Sequence, residues 1–273
     1  MIIGISGKIG SGKDTVGKII QMLTSPNYRD EYFYKIGIDN NRLSEYDFSD
    51  SKWQIKKFAG KLKQIVSILT GIPIKDLEKQ EVKNRLLGEE WINYQKSNFN
   101  TLIRDYENFS RAYDMGWRII NEKTGECKRT NPHFPNNPTV RWLLQTVGTD
   151  AMRNVIHENV WVNALFADYK EEFISYGIGN FHDLRPSYKS IRFPNWIITD
   201  LRFPNELKAI EDRNGITIRI NRENDLIISG ILDEHLSETA LDNAKFDYTI
   251  DNDGSIEELI EKVKEVLIKE KII

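Results

Sequence analysis

Residues 1–17 read MIIGISGKIGSGKDTVG, and this stretch decides how the rest of the chain is read. Met1, Ile2, Ile3 and Ile5 form a short apolar run suited to a buried strand. Gly7-Lys8-Ile9-Gly10-Ser11-Gly12-Lys13 follows at once. It is the G-x-x-x-x-G-K of a phosphate-binding loop, set between a strand and a helix as its chemistry requires. Small residues let successive backbone N–H groups wrap an anion, and the helix N-terminus adds the positive end of its dipole. On this reading Gly10, Ser11 and Gly12 form the cradle, and Lys13 reaches the terminal phosphates as a point charge. The expected ligand is a nucleoside triphosphate. A glycine-rich turn without a ligand is the bland alternative.

The position after the lysine, where a serine or threonine usually holds Mg²⁺, is Asp14, with Thr15 behind it. A carboxylate is also a hard-cation ligand, directly or through water. Beside polyphosphate it is tolerable only when a metal neutralises the repulsion. The other reading makes Asp14 a cap at the helix start.

Working outward, 273 residues suffice for one large domain or a domain with insertions. A hydrophobic share of 40% and a charged share of 29% fit a soluble globular chain rather than a disordered one. The net charge of −3 excludes a wide polynucleotide-binding face, so no long nucleic acid is expected as a partner. The single cysteine, Cys127, rules out an internal disulfide framework and fits a reducing compartment. Four histidines, none spaced as a ligand pair, give a structural zinc site no support. No apolar run approaches a membrane span, and the N-terminus enters a strand rather than a signal peptide. The expected location is the cytoplasm.

Apolar spacing at Val16, Ile19, Ile20 and Leu23 predicts a helix over 15–23, stopped by Ser25-Pro26-Asn27. Residues 27–52 are polar without a period and read as a surface excursion. A strand is expected over 53–58, then a helix over 59–70 with Leu62, Ile65, Val66 and Leu69 on one face and Gly71 closing it. From 78 to 138 the periodic signal weakens, and 131–138 is a Pro- and Asn-rich loop. This stretch reads as a helical or irregular insertion, or a mobile subdomain, within a single domain spanning 1–273. It does not read as a second core. Its aromatics, among them Trp91, Tyr94, Phe99 and Trp117, are taken as local packing.

Regularity returns with a helix over 140–147, interrupted at Gly148-Thr149-Asp150, and helical spacing over 160–173. After a loop over 177–194, strands are expected over 196–200, 216–220 and 248–250, with helices over 204–213 and 256–269. Strands alternating with helices predict an α/β fold of the P-loop NTPase type, a parallel sheet with helices on both faces.

Ligands of open α/β sheets bind at the carboxyl ends of the strands, which places Asp200 near the phosphate loop. An acid there orders Mg²⁺ or its waters, or else is a helix N-terminal cap; the sequence leaves both open. Arg202 and Glu206 share one face at i, i+4 spacing if the turn is helical, where an exposed ion pair is the plain reading. Arg141 is a lone charge on an otherwise apolar helix, and such a charge is usually paired or faces a ligand.

Several segments together resemble the deoxynucleoside monophosphate kinases of bacteriophages. They are the loop with its Gly-Lys-Asp-Thr ending at 12–15, Phe58-Ala59-Gly60-Lys61-Leu62-Lys63, and Glu81-Val82-Lys83-Asn84. Val140-Arg141-Trp142-Leu143-Leu144-Gln145 follows, running into Gly148-Thr149-Asp150, with Trp161-Val162 beyond. Thr199-Asp200-Leu201-Arg202-Phe203-Pro204-Asn205-Glu206 and His235-Leu236-Ser237-Glu238 come next, and Asp247-Tyr248-Thr249-Ile250-Asp251-Asn252-Asp253-Gly254 is last. Residues 27–52, 92–138 and 177–194 fall outside the resemblance.

The resemblance implies transfer of the γ-phosphoryl group of ATP, with Mg²⁺, to deoxynucleoside 5′-monophosphates. It implies that Gly10, Ser11, Gly12, Lys13, Asp14 and Thr15 hold ATP, with Asp14 and Thr15 toward the metal. It places Lys63, Lys83, Arg141, the Gly148-Thr149 turn, Trp161, Asp200, Arg202 and Glu206 around the acceptor nucleotide. Lys13, Arg141 and Arg202 form the catalytic set. A homodimer is left open, and no membrane partner is implied. The chemistry agrees: phosphoryl transfer needs positioning and neutralised charge rather than a covalent nucleophile. It also needs a lid to exclude water, for which Arg185 and Arg192, or the 92–138 segment, are candidates on composition. Two rivals remain: a kinase of another small substrate such as dephospho-coenzyme A, and an ATP-binding switch protein. Arg141, Arg202 and Lys63 speak against the switch, which needs no second anion pocket.

Overall fold

The computed structural model describes residues 1–26, 48, 50–130, 134–175, 189–222 and 239–273. In chain order the elements begin with β1 (Ile2–Gly7), α1 (Lys13–Leu23), β2 (Trp53–Lys56), α2 (Ala59–Thr70) and α3 (Gln80–Lys83). Then come β3 (Tyr94–Asn98), α4 (Phe99–Tyr106), α5 (Phe109–Asp114), β4 (Arg118–Asn121), β5 (Glu126–Thr130) and α6 (Val140–Gln145). A π-helical run, Thr146–Ile156, leads to α7 (Val160–Phe166), β6 (Glu172–Ser175), β7 (Lys189–Arg192) and β8 (Asn195–Leu201). The chain closes with α8 (Pro204–Glu211), β9 (Ile216–Asn221), β10 (Tyr248–Asp251) and α9 (Ile256–Lys269). These elements divide into two compact units, Met1–Lys61 with Ile156–Ile273, and Leu62–Val155.

The first unit is built on a five-stranded sheet in the order β10-β9-β1-β8-β2, with every pairing parallel. The apolar run of the central strand is explained by burial on both sheet faces. Ile3 and Ile5 pack with Val16, Ile19 and Ile20 of α1 and Leu259, Ile260 and Val263 of α9. Ile2 packs on the opposite side with Trp196, Ile198, Leu207 and Ile210, together with Val162 of α7. Each such fully buried side chain contributes about 1.5–3 kcal/mol relative to exposure. Helices therefore cover both faces, as the alternation of strands and helices predicts. The chain fills one side of β1 with β8 and β2, then the other with β9 and β10, so β1 ends at the switch point of the topology. Gly17 matters here. A Cβ on it would stand 2.7 Å from Thr199 Cγ2, so its absence lets α1 lie close against β8.

The second unit differs from the sequence expectation. Residues 78–138 hold a three-stranded antiparallel sheet, β3-β5-β4, and the short helices α4 and α5. Leu102, Ala112, Trp117 and Cys127 form a buried cluster there, so the stretch does contain a core of its own. Long-range antiparallel pairing and a largely exposed β4 explain why no period was visible. A further cluster joins Val66, Ile72 and Leu77 to Val140 and Leu143 of α6.

Other boundaries differ as well. Gly148-Thr149-Asp150 does not interrupt the helix; the π-helical run passes through it. A Cβ on Gly148 would meet Leu62 Cδ2 at 2.9 Å, so this glycine serves close packing against α2 rather than a turn. The helix expected over 160–173 ends at Phe166, and β6 pairs antiparallel with β7. Tyr169 leaves the helical path and sets its ring 4.7 Å from that of Trp196. Arg192 lies in β7, whereas Arg185, His235-Leu236-Ser237-Glu238, most of the 27–52 excursion and residues 131–133 lie outside the described residues. Among the described residues no helix is long and apolar enough to cross a membrane.

Candidate active site

The phosphate loop leaves the carboxyl end of β1 and enters α1. Gly10 and Gly12 have φ values of 79° and 97°, in the left-handed region that favours glycine. The loop is closed by Ser11 N–H donating to Lys8 O at 3.2 Å and by Val16 N–H donating to Gly12 O at 2.9 Å. The Lys13 ammonium is turned back onto it, donating to the carbonyls of Gly7 and Lys8, both at 2.6 Å. Ser11 is buried, and its hydroxyl has no hydrogen-bond partner among the described residues. Gly12, not Asp14, is the N-cap of α1, and it gives no side-chain cap bond.

Asp14 instead reaches across to β8 and β2. It accepts the Thr199 hydroxyl at 2.6 Å and stands 3.1 Å from the ammonium of Lys57, just past β2. Partial desolvation alone would raise its pKa. The Lys57 charge, the Thr199 hydroxyl and the Lys13 charge outweigh that and hold the pKa below its ordinary value. The carboxylate remains open to solvent, and with Thr199 it offers hard oxygen donors of the kind Mg²⁺ takes. Thr15 follows it in the first turn. Among the described residues no cluster of three or more His, Cys, Asp or Glu is suited to a metal.

Asp200 stands as a helix N-terminal cap, one of its two readings. Its carboxylate accepts the backbone N–H groups of Phe58 at 2.8 Å and Ala59 at 2.9 Å, so it caps α2 rather than the helix that follows it. Desolvation raises its pKa, although those two N–H groups and the charges of Arg202 and Lys57 oppose the shift. Glu206 is buried and accepts the backbone N–H groups of Arg202 at 2.9 Å and Phe203 at 3.1 Å, closing the start of α8. The plain reading of an exposed Arg202–Glu206 ion pair gives way to this buried contact with the backbone. Trp161 is buried on α7.

In the second unit, Arg141 on α6 donates from Nε and Nη2 to Asn84 Oδ1 at 3.1 and 3.0 Å, and from Nη2 to Gln80 Oε1 at 2.8 Å. Two neutral amides thus orient the guanidinium without cancelling its charge. Lys63 is buried and paired with Glu78 at 2.5 Å. Lys83 ends α3, one residue before Asn84. Thr149 sits beside Gly148 in the π-helical run.

The candidates are thus grouped by unit. Gly10, Ser11, Gly12, Lys13, Asp14, Thr15, Trp161, Asp200, Arg202 and Glu206 belong to the first, whereas Lys63, Lys83, Arg141, Gly148 and Thr149 belong to the second. Three residues around the loop were missed by sequence reasoning. Lys57 and Thr199 hold Asp14, and Asn252 donates from Nδ2 to Ser11 O at 2.8 Å. Lys57 follows β2 directly and Thr199 lies in the last half of β8, a signal that strand order alone supplies. Asn252 lies in the family-like segment 247–254, but it is 241 positions from Ser11 and nothing local ties it to the loop.

A family model described as "Deoxynucleotide monophosphate kinase" matches residues 1–263. The chain is similar to the deoxynucleotide monophosphate kinase of Escherichia phage RB69, at 26% identity over 161 residues, covering 59% of this chain and 58% of that protein. It is similar also to the deoxynucleotide monophosphate kinase of Enterobacteria phage T4, at 29% identity over 129 residues, covering 47% and 45%. The chain spans about half the length of the curated relatives it matches.

Proposed function

The chain belongs to the deoxynucleotide monophosphate kinase family, and from that premise we propose that it transfers the γ-phosphoryl group of ATP to deoxynucleoside 5′-monophosphates. The observation that carries the reading beyond ATP binding is Arg141, a guanidinium oriented by Gln80 and Asn84 and still fully charged. A nucleotide switch needs no such second receptor for an anion. A kinase does, because its acceptor brings a phosphate of its own.

We assign the roles as follows, with the geometry in support. The N–H groups of Gly10 and Gly12 take the phosphates of ATP, Ser11 N–H closes the loop onto Lys8 O, and Lys13 exchanges the carbonyls of Gly7 and Lys8 for phosphate oxygens. Asp14 and Thr15 hold Mg²⁺, which supplies neutralisation of the charge spread over the transferring group. Arg141 orients the acceptor phosphate, with Lys83 next in the chain to its partner Asn84, and Lys63 joins once it leaves Glu78. Arg202 adds positive charge for the transition state. Asp200 and Glu206 act one step back, fixing the starts of α2 and α8. The acceptor's own phosphate oxygen is the nucleophile, so no strong base is required. This reading carries with it the expectation of free nucleotides as substrates in the cytoplasm.

The test is a coupled assay of ADP release with each of the four deoxynucleoside monophosphates, with dephospho-coenzyme A, and with no acceptor. One or more deoxynucleoside monophosphates should stimulate ADP release and appear as the diphosphate. Turnover indifferent to every monophosphate would overturn the proposal, and stimulation by dephospho-coenzyme A alone would pass the site to the rival kinase.

A further inference from the structure

The Asn252-Asp253-Gly254 step after β10 supplies none of the groups assigned to ATP, metal or acceptor, yet it touches the phosphate loop. Asn252 is buried, and its backbone N–H donates to Asn221 O at 2.7 Å, which ties it to the end of β9. Its side-chain amide donates to Ser11 O at 2.8 Å. The next residue, Gly12, has φ 97°, and a Cβ on it would lie 2.5 Å from the same Asn252 Nδ2. The amide is therefore pressed against two successive loop residues. The Ser11 hydroxyl, with no hydrogen-bond partner among the described residues, does not fix this peptide; the carbonyl contact does.

A trans peptide directs its C=O and the following N–H to opposite sides. With the Ser11 carbonyl drawn to Asn252, the Gly12 N–H is turned the other way. We propose that Asn252 is a positioning residue that holds the Ser11–Gly12 peptide with its N–H toward the phosphate of ATP and its carbonyl away from it. The inference rests on the reading of the loop as an ATP site. Glycine on both sides of Ser11 makes this peptide easy to rotate, and a rotated peptide would present a carbonyl oxygen to an anion. The clamp comes from a strand end on a distant part of the chain, so the loop is set by the sheet as well as by its own glycines.

The test uses the intact protein and three variants, Asn252→Ala, Asn252→Asp and Asn252→Ser. ATP affinity is read by calorimetry, and the Gly12 amide is followed in ¹⁵N–¹H spectra during ATP titration. Loss of one neutral hydrogen bond should weaken ATP binding by about threefold to tenfold in Asn252→Ala and shrink the ATP-induced shift of the Gly12 signal. Asn252→Asp should lose more, because a carboxylate oxygen would face the Ser11 carbonyl. Asn252→Ser, which keeps a shorter donor, should lose less and decides the matter if Asn252→Ala melts too low. The KM for ATP should rise while the KM for the monophosphate holds, a split that general destabilisation would not produce. Wild-type ATP affinity with an intact Gly12 shift in Asn252→Ala or Asn252→Ser would overturn the proposal. So would equal rises in both KM values tracking a fall in melting temperature. A wild-type Gly12 signal that ignores ATP would instead overturn the ATP reading, and the proposal with it.

Discussion

The phosphate loop and the Arg141 region hold their charges in opposite ways. At the loop, Lys13 is bonded to the carbonyls of Gly7 and Lys8, and Asp14 is paired with Lys57. On the proposed reading an incoming phosphate must draw Lys13 off those carbonyls, and a cation must compete with Lys57 for Asp14. Around Arg141 the partners are the amides of Gln80 and Asn84, which set the direction of the guanidinium and leave its charge intact. Lys63, in the same unit, follows the pattern of the loop, because Glu78 already neutralises it. On the proposed reading, partner chemistry thus separates a receptor that rearranges on binding from one that is prepared in advance.

The largest effect that can break this comparison is at Lys13. Lys13→Ala should cut phosphoryl transfer by roughly two to three orders of magnitude, the scale of losing one preorganised group on developing charge. Circular dichroism should show the fold unchanged, since the ammonium bonds to loop carbonyls and not to the apolar core. Near-wild-type turnover in a folded variant would remove the ATP site from the loop.

Arg141→Ala comes next. A charge-assisted contact to phosphate contributes about 1.5–3 kcal/mol, so the KM for the monophosphate should rise about tenfold to a hundredfold, with kcat falling as alignment is lost. Arg141→Lys should recover only part, because a point charge cannot reproduce the planar fork that Gln80 and Asn84 orient. Full recovery by lysine would mean that prepared geometry adds nothing.

A smaller effect is expected at Asp14. Asp14→Asn should raise the Mg²⁺ concentration needed for half-maximal activity more than it weakens metal-free ATP binding. Titrating activity against Mg²⁺ checks this; an unchanged metal dependence would return Asp14 to holding Thr199 and Lys57 together.

The smallest effect is on stability. The Asp14 pKa is depressed in the folded protein, so its contribution is present above the ordinary aspartate value of about 4 and is lost as pH falls toward the depressed one. Because the pair is open to solvent, the contribution is at most about 1 kcal/mol. Wild-type protein should lose slightly more melting temperature than Asp14→Asn on acidification through that window, in the absence of metal.

What the sequence could reveal divides along the same line. The loop is a local pattern: glycines at fixed offsets, an apolar strand before, a helical period after. The sheet followed because strands buried on both faces read as continuous apolar runs, as at Ile2, Ile3 and Ile5. The three-stranded sheet of the second unit did not, because one buried row with Cys127 and Trp117 leaves polar residues such as Gln95, Lys96 and Lys128 in the strands. Asp200 was visible as an acid at a strand end, but its partners, the N–H groups of Phe58 and Ala59, lie 142 and 141 positions away. Gly148 misled for a related reason: a glycine signals a turn locally, whereas here it admits Leu62.

The most direct measurement is a pair of calorimetric titrations, ATP and a deoxynucleoside monophosphate, each into Lys13→Ala and Arg141→Ala. The losses should fall on opposite ligands, ATP for Lys13→Ala and the monophosphate for Arg141→Ala. If Arg141→Ala lost affinity for ATP while holding the monophosphate, the assignment of the two receptors would be contradicted.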